Sequence, residues 1–372
     1  MEYKQELMNR FNDDINVARK LTIAKCIFPA KLINSKNISG IDFSPKSNFI
    51  VDGEYRDRAI WAADLFISGP SAFEYLENGS VFWKNSLLAI SAKQYSNGKL
   101  PACVSLDLKY RPLSPFFDTY GMWWVLSAYD YLNRTKDLHF KSVFLQVFKK
   151  AFNYYLARLD KDNFFVSKFP DFHWNWTVLR PRKSVIVNAL FYRVQEIANE
   201  FNLNPRVDLS KFKEKFNEYF WNDNANAYID NPKSKTIFLD GNAISIIFGL
   251  ADRDHTKMIF ETLRNMESEF GSISYIGKPT TISSWHKDLI CPFSTYLYVR
   301  SLLKEGFRKK AKENYINTLV TGLNIARNYN ENTIPEFWKN NGKLGAEPAL
   351  DQRSKLSISL CHGWSTFGDL KF

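Results

Sequence analysis

The chain is short of most signals that would mark a chemistry outright. It has four cysteines in 372 residues, Cys26, Cys103, Cys291 and Cys361, and none form a CxxC pair. That spacing speaks against a zinc ribbon and against a disulfide scaffold. Its five histidines, His139, His173, His255, His286 and His362, show no HxxxH or HExxH spacing. No metal site and no cofactor are therefore expected. GxxxxGK[ST], GxGxxG and GxSxG are all missing, so nucleotide binding and a serine nucleophile elbow have no motif to rest on. No apolar run approaches the ~18 residues of a membrane span; SVFWKNSLLAISAKQ is interrupted by Lys84 and Lys93. The opening stretch MEYKQELMNRFNDDINVARK lacks the basic-then-apolar order of a secretory signal. The expectation is a cytoplasmic protein with no membrane partner.

What is abundant is aromatic and basic. Aromatics make up 16 % of the chain, with 10 Trp, 18 Tyr and 31 Phe, and the net charge is +11. Together they raise the possibility of nucleic-acid binding. That class would place aromatics inside the basic runs. KFKEKFNEYF and EGFRKKAKENY are lysine-rich, but acids are interleaved with the lysines at helical spacing, the pattern of a solvated face. The tryptophans keep company with acids. No nucleic-acid partner is expected.

Helical periodicity dominates the chain. It covers 2–25, 61–77, 80–96, 117–134, 139–159, 184–203, 209–221, 240–251, 254–269, 289–304, 306–328 and 354–370. Gly, Pro, Asn and Asp mark the breaks, as in SNGKLP, WNDNANAYIDNP and WKNNGKLGAEP. No Pro/Ser-rich linker divides the chain and no literal repeat appears. The pattern predicts one large all-α domain over 1–372, built from helices arriving in pairs.

In such an array, chemistry belongs to the connections. Five segments repeat one composition: Asp52, Asp57 and Asp64 with Trp61; Asp171 with Trp174 and Trp176; Trp285 with His286; Glu336 with Trp338; His362 with Trp364. Flat indole faces with carboxylates between them suit a sugar ring, whose CH groups stack while its hydroxyls bond to the acids. A carbohydrate substrate is the partner this predicts. The densest segment is VDGEYRDRAIWAAD, where Arg56 and Arg58 can hold acids ionised. An acid packed against Trp61 can be raised in pKa and serve as a general acid.

This segment resembles the catalytic domain of inverting α-L-rhamnosidases, glycoside hydrolase family 78. Their signature has the form D-x-x-x-R-[E/D]-R-x-x-W-x-x-D, and Asp52, Arg56, Asp57, Arg58, Trp61 and Asp64 occupy every named place. The resemblance implies an (α/α)6 toroid of six helical hairpins, with Asp57 as general acid and Asp52 and Asp64 on sugar hydroxyls. Many members carry Glu where this chain has Asp57. The stretch Thr333-Ile334-Pro335-Glu336-Phe337-Trp338 is similar to the family's T-T-x-W-E-x-W base motif, with Pro335 in place of a Trp, and implies Glu336 as the general base. Ser359-Leu360-Cys361-His362-Gly363-Trp364-Ser365 resembles the S-x-x-H segment that opens the last inner helix. His362 is open to two roles, a backbone-bonded helix start or a contact to a sugar hydroxyl.

FFDTYGMWWVLSAYDYL resembles a helix whose leading acid, Asp118, borders the pocket; as a helix cap Asp118 would serve equally. DFHWNW places Asp171 and Trp174 where the family has an Asp-Trp loop. Trp285 is either a pocket wall or core. The flanking β-sandwich domains usual in the family are not visible. The expected activity is inverting hydrolysis of terminal α-L-rhamnosides. A different six-hairpin glycosidase, acting on glucosides or uronides, and a catalytically degenerate carbohydrate-binding protein are the alternatives.

Overall fold

The computed structural model describes residues 2–29, 47–55, 57–106, 116–172, 178–203, 207–230, 235–281, 288–346, 348–349 and 358–372. Within them are eleven α-helices: α1 (Glu2–Lys25), α2 (Leu65–Tyr75), α3 (Gly79–Ser91), α4 (Asp118–Thr135), α5 (Leu138–Leu156), α6 (Val185–Glu200), α7 (Leu209–Phe220), α8 (Leu239–Ile247), α9 (Arg253–Leu263), α10 (Pro292–Lys304) and α11 (Arg308–Arg327). The strands are two or three residues long and lie in the connections. They pair locally, as Ala59–Trp61 does with Cys103–Ser105 and Val178–Arg180 with both Asp171–Phe172 and Thr280–Thr281. The architecture is all-α.

Burial separates two kinds of helix. In α4, thirteen of eighteen residues are buried, so the helix is enclosed on nearly every side. In α7 only Phe212, Phe216 and Phe220 are buried, one stripe at four-residue spacing. The first pattern belongs to an inner helix and the second to an outer one. The enclosed helices pack in succession, α2 on α4, α4 on α6, α6 on α8 and α8 on α10. Residues Gly363–Thr366, a single 3-10 turn, pack on both α10 and α2.

Capping follows the same division in part, since α3 and α11 also start without a side-chain cap bond. The outer helices α5, α7 and α9 start on Asp137, Asp208 and Asp252, whose side chains accept backbone N–H groups of the first turn. The inner helices α2, α4, α6, α8 and α10 start on Asp64, Phe117, Ser184, Phe238 and Cys291, and none of these makes a side-chain cap bond. Close approach is bought with glycine at Gly69, where a Cβ would lie 2.2 Å from the Trp83 indole nitrogen of the neighbouring helix.

One expected helix is replaced. The periodicity over 354–370 predicts a helix, and the described residues 358–372 hold no α-helix, only the 3-10 turn Gly363–Thr366. Residues 358–362 do not coil because their backbone is committed elsewhere. Ser359 O accepts from Glu336 N, His362 N donates to Ile334 O, Cys361 O accepts from Glu54 N, and Gly363 N donates to Asp52 O at 2.7 Å. A helix would withdraw all of these groups. The segment is a thread laced between the loop at 51–54 and the loop at 334–336. Gly53 is required at that crossing, since a Cβ there would lie 2.7 Å from Cys361 O and from Ser359 Oγ. None of the four cysteines forms a disulfide, and all are buried. No helix among the described residues is long and apolar enough to cross a membrane.

Candidate active site

The thread brings together residues that lie far apart in sequence. Asp52, Asp57, Trp61, Asp64, Tyr120, Glu336, His362 and Trp364 line one cavity with about 220 Å³ of open space. They come from the loop before α2, the first turns of α2 and α4, the loop after α11 and the C-terminal thread.

Asp52 closes the base of its loop. Its N–H donates to Ala59 O at 3.0 Å, and its carboxylate Oδ1 accepts from Ala59 N at 2.9 Å. Between these two residues the chain turns sharply. Asp57 and Arg58 both take positive φ, 29° and 47°. Asp57 is half-buried, whereas Asp52, Asp64, Glu336 and His362 are each 3 % exposed or less. Asp64 stands at the start of α2, where the helix dipole favours a carboxylate.

Glu336 is fully buried. Its carboxylate Oε2 accepts from Ser359 N at 3.3 Å, and its carbonyl accepts from the Trp364 indole at 3.1 Å. His362 sits between two acids: Nε2 is 3.9 Å from Asp64 Oδ1 and 3.9 Å from Glu336 Oε1. Its ring packs against that of Trp364, with centroids 4.2 Å apart. The backbone N–H of His362 donates to Ile334 O and Gly53 pairs across from it, and the residue leads directly into the 3-10 turn Gly363–Thr366, so the histidine is both a bridge residue and the start of that turn.

Trp61 forms an aromatic wall with Tyr120, at a ring separation of 5.5 Å. Burial, then the Asp64 and Asp171 carboxylates, push the Tyr120 hydroxyl well above its ordinary pKa, so it remains a donor. Tyr120 is the lining residue that sequence reasoning missed. The signal was available, because Tyr120 follows Asp118 by two residues at the head of a helix expected to border the pocket.

Asp118 and Asp171 do not line this cavity. Asp118 is buried among structural partners: the Lys99 ammonium at 2.7 Å, the Tyr154 hydroxyl at 2.8 Å and the Lys168 N–H at 2.9 Å. It is not the helix cap either, since Phe117 holds that place. Asp171 accepts from the Thr119 hydroxyl and is 3 % exposed. Trp338, grouped with Glu336 by composition, is core; its indole donates to Phe270 O and its ring packs with Ile290 and Ile325. Arg56, Trp174, Trp176, Trp285 and His286 lie outside the described residues. Among the described residues no cluster of His, Cys, Asp and Glu could hold a metal ion.

No protein-family model matches the chain, and no curated protein matches it by sequence. Solved structures do. A family GH78 rhamnosidase of Bacillus sp. GL1 superposes with a TM-score of 0.68 at 15 % identity, over 97 % of this chain and 34 % of the other. A Klebsiella oxytoca rhamnosidase solved with rhamnose bound gives 0.66 at 16 % identity, over 97 % and 63 %. The neutral trehalase of Saccharomyces cerevisiae gives 0.62 at 12 % identity, over 87 % and 72 %. The chain has a six-hairpin glycosidase fold. It spans about a third of the length of the first rhamnosidase and under two thirds of the second. On this fold, the cavity lies where the ends of inner helices α2 and α4 meet the C-terminal thread.

Proposed function

We propose that the chain is a single (α/α)6 catalytic domain that hydrolyses terminal α-L-rhamnosides with inversion. Asp57 is the general acid and Glu336 the general base. The observation that carries this reading is their joint presence in one small cavity walled by Trp61, Tyr120 and Trp364. The likeness to rhamnosidases, one of them holding rhamnose, supports the choice of sugar.

In this mechanism Asp57 gives its proton to the glycosidic oxygen as the bond to the anomeric carbon breaks. Glu336 removes a proton from a water that attacks the opposite face of the ring. Inversion calls for carboxyl groups ~6.5–9.5 Å apart, leaving room for that water. Asp52, Asp64 and His362 bind ring hydroxyls, and the aromatic walls take the CH faces. The enclosure of Asp52, Asp64, Glu336 and His362 lowers the local dielectric, which strengthens each polar contact they make. Product carboxyl states are exchanged at each turnover, since the acid ends deprotonated and the base protonated.

A second reading keeps the glycosidase and exchanges rhamnose for a glucoside; the likeness to neutral trehalase favours it. Aryl α-L-rhamnoside, glucoside, mannoside and glucuronide assayed side by side decide between them, with the product anomer followed by NMR. Cleavage of the rhamnoside with an inverted first product is expected. Retention of configuration refutes the mechanism, preference for the glucoside moves the assignment to the second reading, and sugar binding without cleavage of any member leaves a binding protein.

A further inference from the structure

Outside the cavity, four side chains tie the loop carrying Asp57 to the loop carrying Glu336. Lys25, the last residue of α1, places its Nζ 3.0 Å from the Glu54 carboxylate and 2.7 Å from that of Glu331. The Tyr55 hydroxyl donates to the other oxygen of Glu331 at 2.7 Å. Glu54 and Tyr55 belong to the Asp52–Ala59 turn that holds Asp57. Glu331 follows α11 and leads directly into the segment that holds Glu336. The charged groups are between 20 % and 27 % exposed, too enclosed for full solvent screening. Burial alone would raise the Glu331 pKa; the bonds from Lys25 and Tyr55 outweigh it and hold the group below its ordinary value.

The turn they grip needs external support. Two consecutive non-glycine residues at positive φ are strained and persist only where the surroundings fix them. Arg58 supplies part of that support from within the turn. Its Nε donates to Glu54 O at 2.5 Å, and its guanidinium lies over the Phe28 ring at 4.8 Å. The Tyr55–Glu331 bond supplies it from 276 residues away.

We infer that Lys25 and Glu331 are positioning residues that set the separation of Asp57 and Glu336 by bridging their loops outside the cavity. The inference rests on the reading of those two acids as the catalytic pair. A bridge of this kind governs the chemical step and leaves sugar binding nearly untouched, because neither residue lines the cavity.

Hydrogen exchange on the full chain compares wild type with Glu331→Gln, Lys25→Met and Lys25→Arg. Amides of 53–59 should exchange at least ~10-fold faster in Glu331→Gln and Lys25→Met, with α4 and α10 unchanged and Lys25→Arg close to wild type. Kinetics are run alongside on two aryl glycosides, one with a poor leaving group and one dinitrophenyl glycoside that needs little acid help. Glu331→Gln should lower kcat about 10- to 100-fold on the first, by less on the second, with KM within about two-fold. Unchanged exchange at 53–59, faster exchange throughout the chain, or equal losses on both substrates overturn the bridge. A wild type that cleaves no glycoside overturns the proposed function instead, and the exchange comparison still decides whether the bridge holds the turn.

Discussion

Replacing Arg19 by methionine should unfasten the C-terminal thread. Arg19 lies on α1 and is fully buried. Its Nε donates to Thr366 O at 2.6 Å, its two terminal nitrogens to the Tyr315 hydroxyl at 2.5 Å and to Gly368 O at 2.9 Å. Tyr75 and Tyr315 place their rings 5.0 and 5.5 Å from the guanidinium. Hydrogen bonds from a charged donor contribute about 1.5–3 kcal/mol each, so three sum to roughly 5–9 kcal/mol. These oxygens are neutral, so the cation is buried at a cost of several kcal/mol that methionine removes. Gly368 O also keeps a second donor, the Ser71 hydroxyl at 3.0 Å. The net destabilisation should be about 2–4 kcal/mol. For a chain of 372 residues that corresponds to roughly 3–5 °C in Tm. Scanning calorimetry at several scan rates measures it, with Arg19→Lys as a control that keeps the charge and loses the fork. Below its melting point the methionine variant should show a raised KM, because the same segment carries His362 and Trp364. A variant within about 0.5 kcal/mol of wild type, with unchanged KM, would show that packing alone secures the thread.

Three further outcomes follow from the site and its surroundings. Asp57→Asn and Glu336→Gln should each lower kcat by ~100- to 10,000-fold without lowering Tm by more than a few degrees, and steady-state kinetics with calorimetry test both halves of that statement. Lys99→Met should destabilise by about 3–5 kcal/mol in urea unfolding, because Asp118 stays buried without its cation, and adding Asp118→Asn should restore part of the loss. The Lys25–Glu331 contact should be pH-dependent in a defined direction. Glu331 is held below its ordinary 4.5, so its contribution is complete above that value and is lost as the pH falls through the lower folded value. Burial works against the Lys25 charge, but Glu331 and Glu54 outweigh it and raise its pKa, so this half is complete below 10.5 and lost only at higher pH. The stability gap between wild type and Glu331→Gln should therefore be constant from about pH 5 to 10 and narrow below pH 4.5; a gap that widens in acid would refute the assignment.

Much of the fold is legible in sequence because its determinants are local. Stripes such as Phe212, Phe216 and Phe220 declare outer helices, whereas α8, LDGNAISII, sets small residues beside its isoleucines and packs as an inner one. The spacing of Asp52, Asp57, Trp61 and Asp64 is likewise local, and the structure brings those residues to one cavity with Glu336, His362 and Trp364. The errors arise where a residue's partner is remote. The residues at 354–370 have helical periodicity, but backbone groups of Ser359, Cys361, His362 and Gly363 are taken by Glu336, Glu54, Ile334 and Asp52. Asp118 reads as a pocket acid until Lys99 and Tyr154 are seen against it. Arg19 reads as one more polar residue on an amphipathic helix, because nothing nearby in the chain announces Thr366, Gly368 or Tyr315.

The laced thread has a consequence for biogenesis. Asp52 and Gly363, whose backbones are bonded, lie on either side of the described helices α2–α11 in the sequence. A ribosome makes the turn with Asp57 early and must complete ten further helices before the thread emerges. Until then the inner helices can pair with their neighbours, but the slot between 51–54 and 334–336 stands without its filling strand. Contacts of such long separation form late, after their loop-closure entropy has been met by local structure. The cavity should therefore assemble late, and activity should appear during refolding only after most helical signal has returned.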